Sequence, residues 1–170
     1  MRLGVDAVGV TELMGVTEHA RAMSTVAGAL GLDGEGQPLV RPVDPAAADA
    51  SAGPMLSEIQ EWHRAATGKL DVPVLWRILA RNPYYLEATW RKEQALMGDG
   101  ALSARDKRRT ALGVAMAVRG RYMIEQHGAI LRHAGDIDAD VLEVLGVVDH
   151  YTTLNTLSDA MQIESDIRPG

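Results

Sequence analysis

The chain has 170 residues and a mass of 18.3 kDa, enough to bury one substantial core and too short for two large domains. Hydrophobic residues make up 46% and charged residues 24% of it, the balance of a folded globular protein rather than a fibre or a disordered tail. A formal charge of -6 excludes a general attraction for nucleic acid or anionic lipid, and the complete lack of cysteine excludes disulfides, thiolate metal sites and every thiol nucleophile.

The N-terminus carries no basic segment followed by an apolar run, because Asp6, Thr11, Glu12 and Glu18 interrupt it, so a cytoplasmic protein is expected. No window holds the roughly 20 apolar residues that cross a bilayer, and no membrane span is expected. From Thr11 to Leu30 the residues Leu13, Val16, Met23, Val26 and Leu30 recur at helical spacing, with Gly31 placed to end the helix. Residues 35–54 are rich in Pro, Gly and Ala and read as a linker. Ser57 and Gln60 have capping-box spacing and predict a helix that ends near Gly68. Pro73 opens a short helix stopped by Asn82 and Pro83, and a fourth runs from about Tyr85 to Met97, with Glu87 and Arg91 spaced as an i,i+4 pair. Ser103 caps a largely apolar helix over 104–119. Another covers 121–133 and ends at Gly135, and Asp138 caps a last long one reaching about Met161. No segment shows strand alternation. The prediction is an all-α fold of about seven helices in three stretches: an N-terminal helix within 1–34, the linker 35–54, and a helical core over 55–170.

Thr11–Leu32 aligns without a gap on Leu142–Ile163. Glu12, Gly15, Val16, His19, Thr25 and Ala29 are identical to Glu143, Gly146, Val147, His150, Thr156 and Ala160. Two amphipathic helices can look alike simply because each buries one side. Duplication is the favoured reading. It places the first helix beside the core as a counterpart of the last, or where a neighbouring subunit would otherwise contribute.

The order of several segments resembles the carboxymuconolactone decarboxylase and AhpD-like superfamily. These are P-V-L-W-R-I-L-A-R-N-P at 73–83, L-S-A-R-D-K-R-R at 102–109, R-Y-M-I-E-Q-H-G-A-I-L-R-H-A-G at 121–135 and V-L-G-V-V-D-H-Y-T-T-L-N at 144–155. The first helix, V-T-E-L-M-G-V-T-E-H at 10–19, is similar to the last of these again. The resemblance covers about 54–165 and implies an AhpD-like helical fold in trimers or hexamers. In the peroxidase members a C-x-x-C pair precedes a His, and those two positions are Gly120 and Met123 before His127. The Glu of the family's proton relay falls on Arg108, and the Glu that replaces the second Cys in non-redox members is also missing at Met123. Tyr122, Gln126 and His127 match.

Thiol-dependent peroxide reduction is therefore unavailable. What the resemblance leaves open is cysteine-independent, decarboxylase- or lyase-like acid–base chemistry on a small carboxylate or lactone, or binding of one. In that reading His127 exchanges protons, Arg119 and Arg121 hold the anion with the free N–H groups of the helix start, and Tyr122 and Gln126 complete the site. The alternative is a catalytically silent helical scaffold that acts through self-association or partner binding.

The basic run Arg105, Lys107, Arg108 and Arg109 reads as a solvated face or a subunit contact. His19 and His150 read as structural, and Trp62, Trp76 and Trp90 as core anchors. Asp136, Asp138 and Asp140 open like a calcium loop, but Val141 replaces its glycine and Val147 its bidentate Glu. No nucleotide, serine-hydrolase or zinc motif is present, so neither cofactor nor metal is expected.

Overall fold

The computed structural model describes residues 6–163; the first five and last seven residues, which belong to the expected 1–34 and 55–170 stretches, lie outside the described residues. Seven α-helices and no strand are found among the described residues: α1 (Ala7–Ala29), α2 (Gly53–Thr67), α3 (Val74–Leu79), α4 (Pro83–Met97), α5 (Ala104–Ala117), α6 (Arg121–His133) and α7 (Asp138–Ala160). None is long and apolar enough to cross a membrane.

Helix starts follow local chemistry. Asp6 accepts from the Gly9 N–H at 2.8 Å, Asn82 from Tyr85 at 3.2 Å and Ser103 from Asp106 at 3.1 Å, each satisfying a first-turn donor that the helix itself leaves free. α2 departs from the prediction. It begins four residues earlier, at Gly53, and the Ser57 hydroxyl donates back to the Gly53 carbonyl at 3.1 Å instead of capping. Arg91 pairs with Glu58 on α2 at 2.9 Å and not with Glu87, because Glu58 also takes the indole N–H of Trp90.

α5 is the central helix, with α1, α6 and α7 packed on it and α4 alongside. The three tryptophans form the anchor of the core: Trp62 and Trp76 each meet the fully buried Trp90 edge to face at 5.4 Å. Met23 and Ala27 of α1 join the same cluster as Leu56, Leu75 and Leu86. The stretch 35–54 is irregular apart from a 3-10 turn at Pro45–Ala47, yet it is stitched down. Leu39 N–H donates to Leu30 O, and Val43 and Arg77 exchange two bonds of 2.9 Å.

α1 and α7 both pack on α5 but with opposite outcomes. α1 buries Val16, His19, Ala20, Met23 and Ala27, whereas α7 buries no residue at all.

Candidate functional site

Four helices bring four titratable side chains to one buried place. α4 supplies Glu93, α5 Arg108, α6 His127 and α1 His19, and all four are buried. Both terminal nitrogens of Arg108 donate to Glu93 Oε1 at 3.0 Å, and His19 Nε2 lies 2.8 Å from Glu93 Oε2. Arg108 Nη1 also lies 3.3 Å from His127 Nδ1. The guanidinium stands 5.6 Å from the centre of the Trp62 ring, a cation–π distance.

Burial alone would push the Glu93 carboxyl up, but the Arg108 charge and the His19 contact outweigh it and hold Glu93 at about 2. His127 moves from 6.5 to about 3, first through burial and then through the neighbouring Arg108 charge, so its imidazole is neutral at physiological pH. A guanidinium has no acceptor. Nδ1 of His127 must therefore be the acceptor of the Arg108 N–H, and the ring proton sits on Nε2. That Nε2 is buried and has no hydrogen-bond partner among the described residues. His127 also lines a cavity of about 30 Å³, together with Trp62, Glu93, Arg108, Tyr122 and Gln126 among others. This volume exceeds the roughly 10–15 Å³ that one water requires by the same kind of measure. A second hollow of about 210 Å³ shares Trp62, Glu93 and Arg108 with it and continues past Gln94 and Met97.

Of the residues expected at the site, Tyr122, Gln126 and His127 are brought together; the Tyr122 hydroxyl accepts from the Leu75 N–H at 3.2 Å, and burial raises its phenol to about 12. Arg119 and Arg121 are not among the cavity's lining residues. Both are exposed, Arg119 in the left-handed conformation at φ 59° and Arg121 next to Glu125 at 3.4 Å. The α6 start that was expected to receive an anion is already served by the chain itself, since the Tyr122 N–H donates to Asp33 Oδ1 at 2.8 Å.

The basic run is only in part the solvated face expected, since Arg105 is exposed and Arg109 half-buried. Lys107 and Arg108 are buried, Lys107 on Gly98 O at 2.8 Å and Glu12 at 3.0 Å, while Arg105 and Arg109 both grip Asp136. The aspartates that open like a calcium loop are used this way too, with Asp140 on Arg109 at 2.9 Å. His19 is part of the site, whereas its repeat partner His150 is exposed.

Sequence reasoning missed Glu93 and took Arg108 only as the residue at the relay-Glu position and as part of the basic run, although a signal for burial existed for both. Glu93 falls on the α4 line Leu86, Trp90 and Met97, and Arg108 on the α5 line Ala111, Leu112 and Ala115. A charge set into each of two otherwise apolar stripes, with Lys107 beside Arg108 on the second, demands a partner inside. Gly120 is the position that the family resemblance sets against the first thiol. A Cβ there would stand 2.9 Å from the Ser24 Cβ of α1, so the docked α1 occupies the space a side chain needs.

The described residues form an all-helical bundle with a buried polar site drawn from α1, α4, α5 and α6. The model of the carboxymuconolactone decarboxylase family matches residues 83–163. Among solved structures, the alkylhydroperoxidase AhpD core from Rhodospirillum rubrum is similar at 32% identity and a TM-score of 0.65, over 77% of this chain and 96% of that one. No curated protein matches. The chain belongs to the carboxymuconolactone decarboxylase and AhpD-like superfamily, as a member without cysteine.

Proposed function

We propose that this protein binds a small carboxylate or lactone-like molecule at the Glu93–Arg108–His127 centre and acts on it without thiol or redox chemistry. The observation that supports this most is the orphaned Nε2–H of His127, a residue that lines a cavity. A buried donor left unpaired costs about 1–3 kcal/mol, and a ligand oxygen would relieve that cost.

In this reading His127 is a neutral electrophile, not a base: its Nε2–H bonds a carbonyl oxygen and stabilises the negative charge that builds there. A carboxylate borne on the carbon adjacent to that carbonyl carbon could leave as carbon dioxide, the broken C–C bond's electron pair forming the C=C of an enolate whose oxygen His127 holds, and a proton from solvent then returning to that carbon. Arg108, rather than Arg119 or Arg121, is the cation at hand. The hollow beside Gln94 and Met97 gives the ligand room that the inner cavity lacks. Tyr122 and Gln126 shape the wall.

Calorimetric titration with a panel of short dicarboxylates, oxo acids and lactones tests this. At least one ligand is expected to bind, and His127→Gln is expected to weaken it about tenfold or more while the helical circular dichroism is unchanged. A panel without a binder, or a binder indifferent to His127→Gln, contradicts the proposal and leaves the silent helical scaffold as the better account.

A further inference from the structure

Two hollows meet at the buried site, and three side chains belong to both. Trp62, Glu93 and Arg108 line the cavity of about 30 Å³ and also the outer hollow of about 210 Å³, whereas His127 lines only the inner one. At roughly 10–15 Å³ for one water, the inner cavity has room for about two or three waters. A molecule that carries both a carboxylate and a carbonyl does not fit inside it whole, so the wall between the two hollows has to yield before such a molecule reaches His127.

The three members of that wall are not equally held. Glu93 and Arg108 share two bonds of 3.0 Å, Glu93 is tied to His19 at 2.8 Å, and Arg108 lies 3.3 Å from His127. Moving either one strands a charge in the core. Trp62 is different. It is half-buried, and no hydrogen bond of its indole is found among the described residues. Ring packing holds it, edge to face on Trp90 at 5.4 Å and 5.6 Å from the Arg108 guanidinium. Trp90, by contrast, is fully buried and donates its indole N–H to Glu58 at 3.0 Å. A Trp62 ring that swings aside gives up packing and leaves no buried polar group without its partner.

We propose that Trp62 is the movable member of this wall and the residue that sets the size of the molecule reaching His127. Its ring separates the two hollows, and its displacement joins them into one space that runs from Gln94 and Met97 to His127. The choice of ligand rests on the binding proposed above at the Glu93–Arg108–His127 centre; the motion of Trp62 is a property of the protein alone. A narrow, unbranched head, such as that of a short 2-oxo acid, enters the joined space end-on with its carbonyl first. A ring carried close to the carbonyl meets Trp62 and is held outside. The outer hollow itself falls short of the roughly 300–1,000 Å³ of pockets for drug-sized ligands, which limits the rest of the molecule to a short chain or a single ring.

Exchange of the His127 Nε2 proton with solvent, followed by nitrogen-detected NMR of the full chain, reads the wall without any ligand. Trp62→Ala and the milder Trp62→Leu are expected to speed it about tenfold or more while the amide of buried Leu112 exchanges as before. Ile130→Ala trims the inner cavity where the outer hollow does not reach, and should leave the rate within about twofold. A proton indifferent to both Trp62 variants, or one freed as strongly by Ile130→Ala, overturns the inference, the latter by placing the entrance past α6. If both Trp62 variants also speed Leu112, the wild type decides: with 5-fluorotryptophan incorporated, fluorine relaxation dispersion is expected at Trp62 and not at Trp76 or Trp90, and its lack at Trp62 overturns the inference. Pyruvate and phenylpyruvate read the size limit. The wild-type Nε2 signal should respond to pyruvate at the lower concentration, and Trp62→Leu should narrow that gap about tenfold; an unchanged gap overturns the size limit. Faster exchange with neither acid bound would uphold the motion of Trp62 and count against the proposed ligand, whereas pyruvate binding with exchange unmoved would do the reverse.

Discussion

Glu93 and Arg108 each stabilise a charge that the other would otherwise leave stranded in the core. Their side chains are both 8% exposed, so removing one partner leaves an uncompensated buried ion. Arg108→Met should therefore cost about 3–5 kcal/mol of unfolding free energy, read from urea denaturation. Adding Glu93→Leu should recover part of it, because the two losses share one interaction. A double variant as unstable as the sum of the singles would mean the pair is not coupled. Gly120 gives a second prediction at this scale. Gly120→Ala forces its new methyl onto Ser24 and should cost about 1–3 kcal/mol, a cost that Ser24→Gly should largely relieve. The same crowding argues that restoring C-x-x-C by Gly120→Cys and Met123→Cys would disturb α1 before it created a peroxidase.

At the scale of elements, α1 and α7 are the informative pair. Met23→Ala removes a buried thioether chain and should cost about 2–5 kcal/mol. Leu154→Ala, the matching change in α7, should cost the isolated subunit less than half as much when measured at low protein concentration. Equal costs would mean that α7 is packed in the monomer as firmly as α1.

The helices were legible in the sequence because apolar spacing and short-range capping act within a few residues. Ser103 and the segment 121–133 are read correctly for that reason. Ser57 misled because a serine hydroxyl can cap a helix start or bond back to the preceding turn, and the choice depended on Pro54 already opening α2 at its second position. The site was only half legible. His127, Tyr122 and Gln126 lie on one helix and could be found by matching one segment. Glu93, Arg108 and His19 come from three other helices, and their meeting depends on how α1, α4 and α5 cross, which no local pattern specifies. Where Arg119 and Arg121 stand was illegible for a similar long-range reason: both are exposed, and at the helix start beside them the Tyr122 N–H donates to Asp33, 89 residues away.

For the whole molecule, the buried site links folding to pH. In the unfolded chain His127 takes up a proton near its ordinary 6.5, whereas in the fold it resists until about 3. The unfolded state then binds more protons across that window, so stability rises with pH through it. Glu93 acts in the same sense lower down: its carboxylate is held at about 2 against an ordinary 4.5, and its contribution is present above 4.5 and lost as pH falls towards 2. Glu12, drawn to about 2 by the Leu102 N–H, Lys107 and the Ala101 N–H, follows Glu93. Thermal unfolding should therefore show a melting temperature that falls steadily below about pH 6.5, and His127→Phe should flatten the upper part of that fall. A melting temperature constant from pH 7 to 4 would contradict the burial of a neutral His127.

The protonation state of His127 tests the account most directly, and nitrogen-detected NMR of the imidazole, assigned with His127→Gln, measures it. The prediction is a neutral ring from pH 8 down to at least 4.5, with the proton on Nε2 and Nδ1 as acceptor of the Arg108 bond, and an Nε2 signal that moves when a small carboxylate or lactone fills the cavity. A ring that titrates near 6.5, or one that carries its proton on Nδ1, would contradict the geometry on which the proposed function rests.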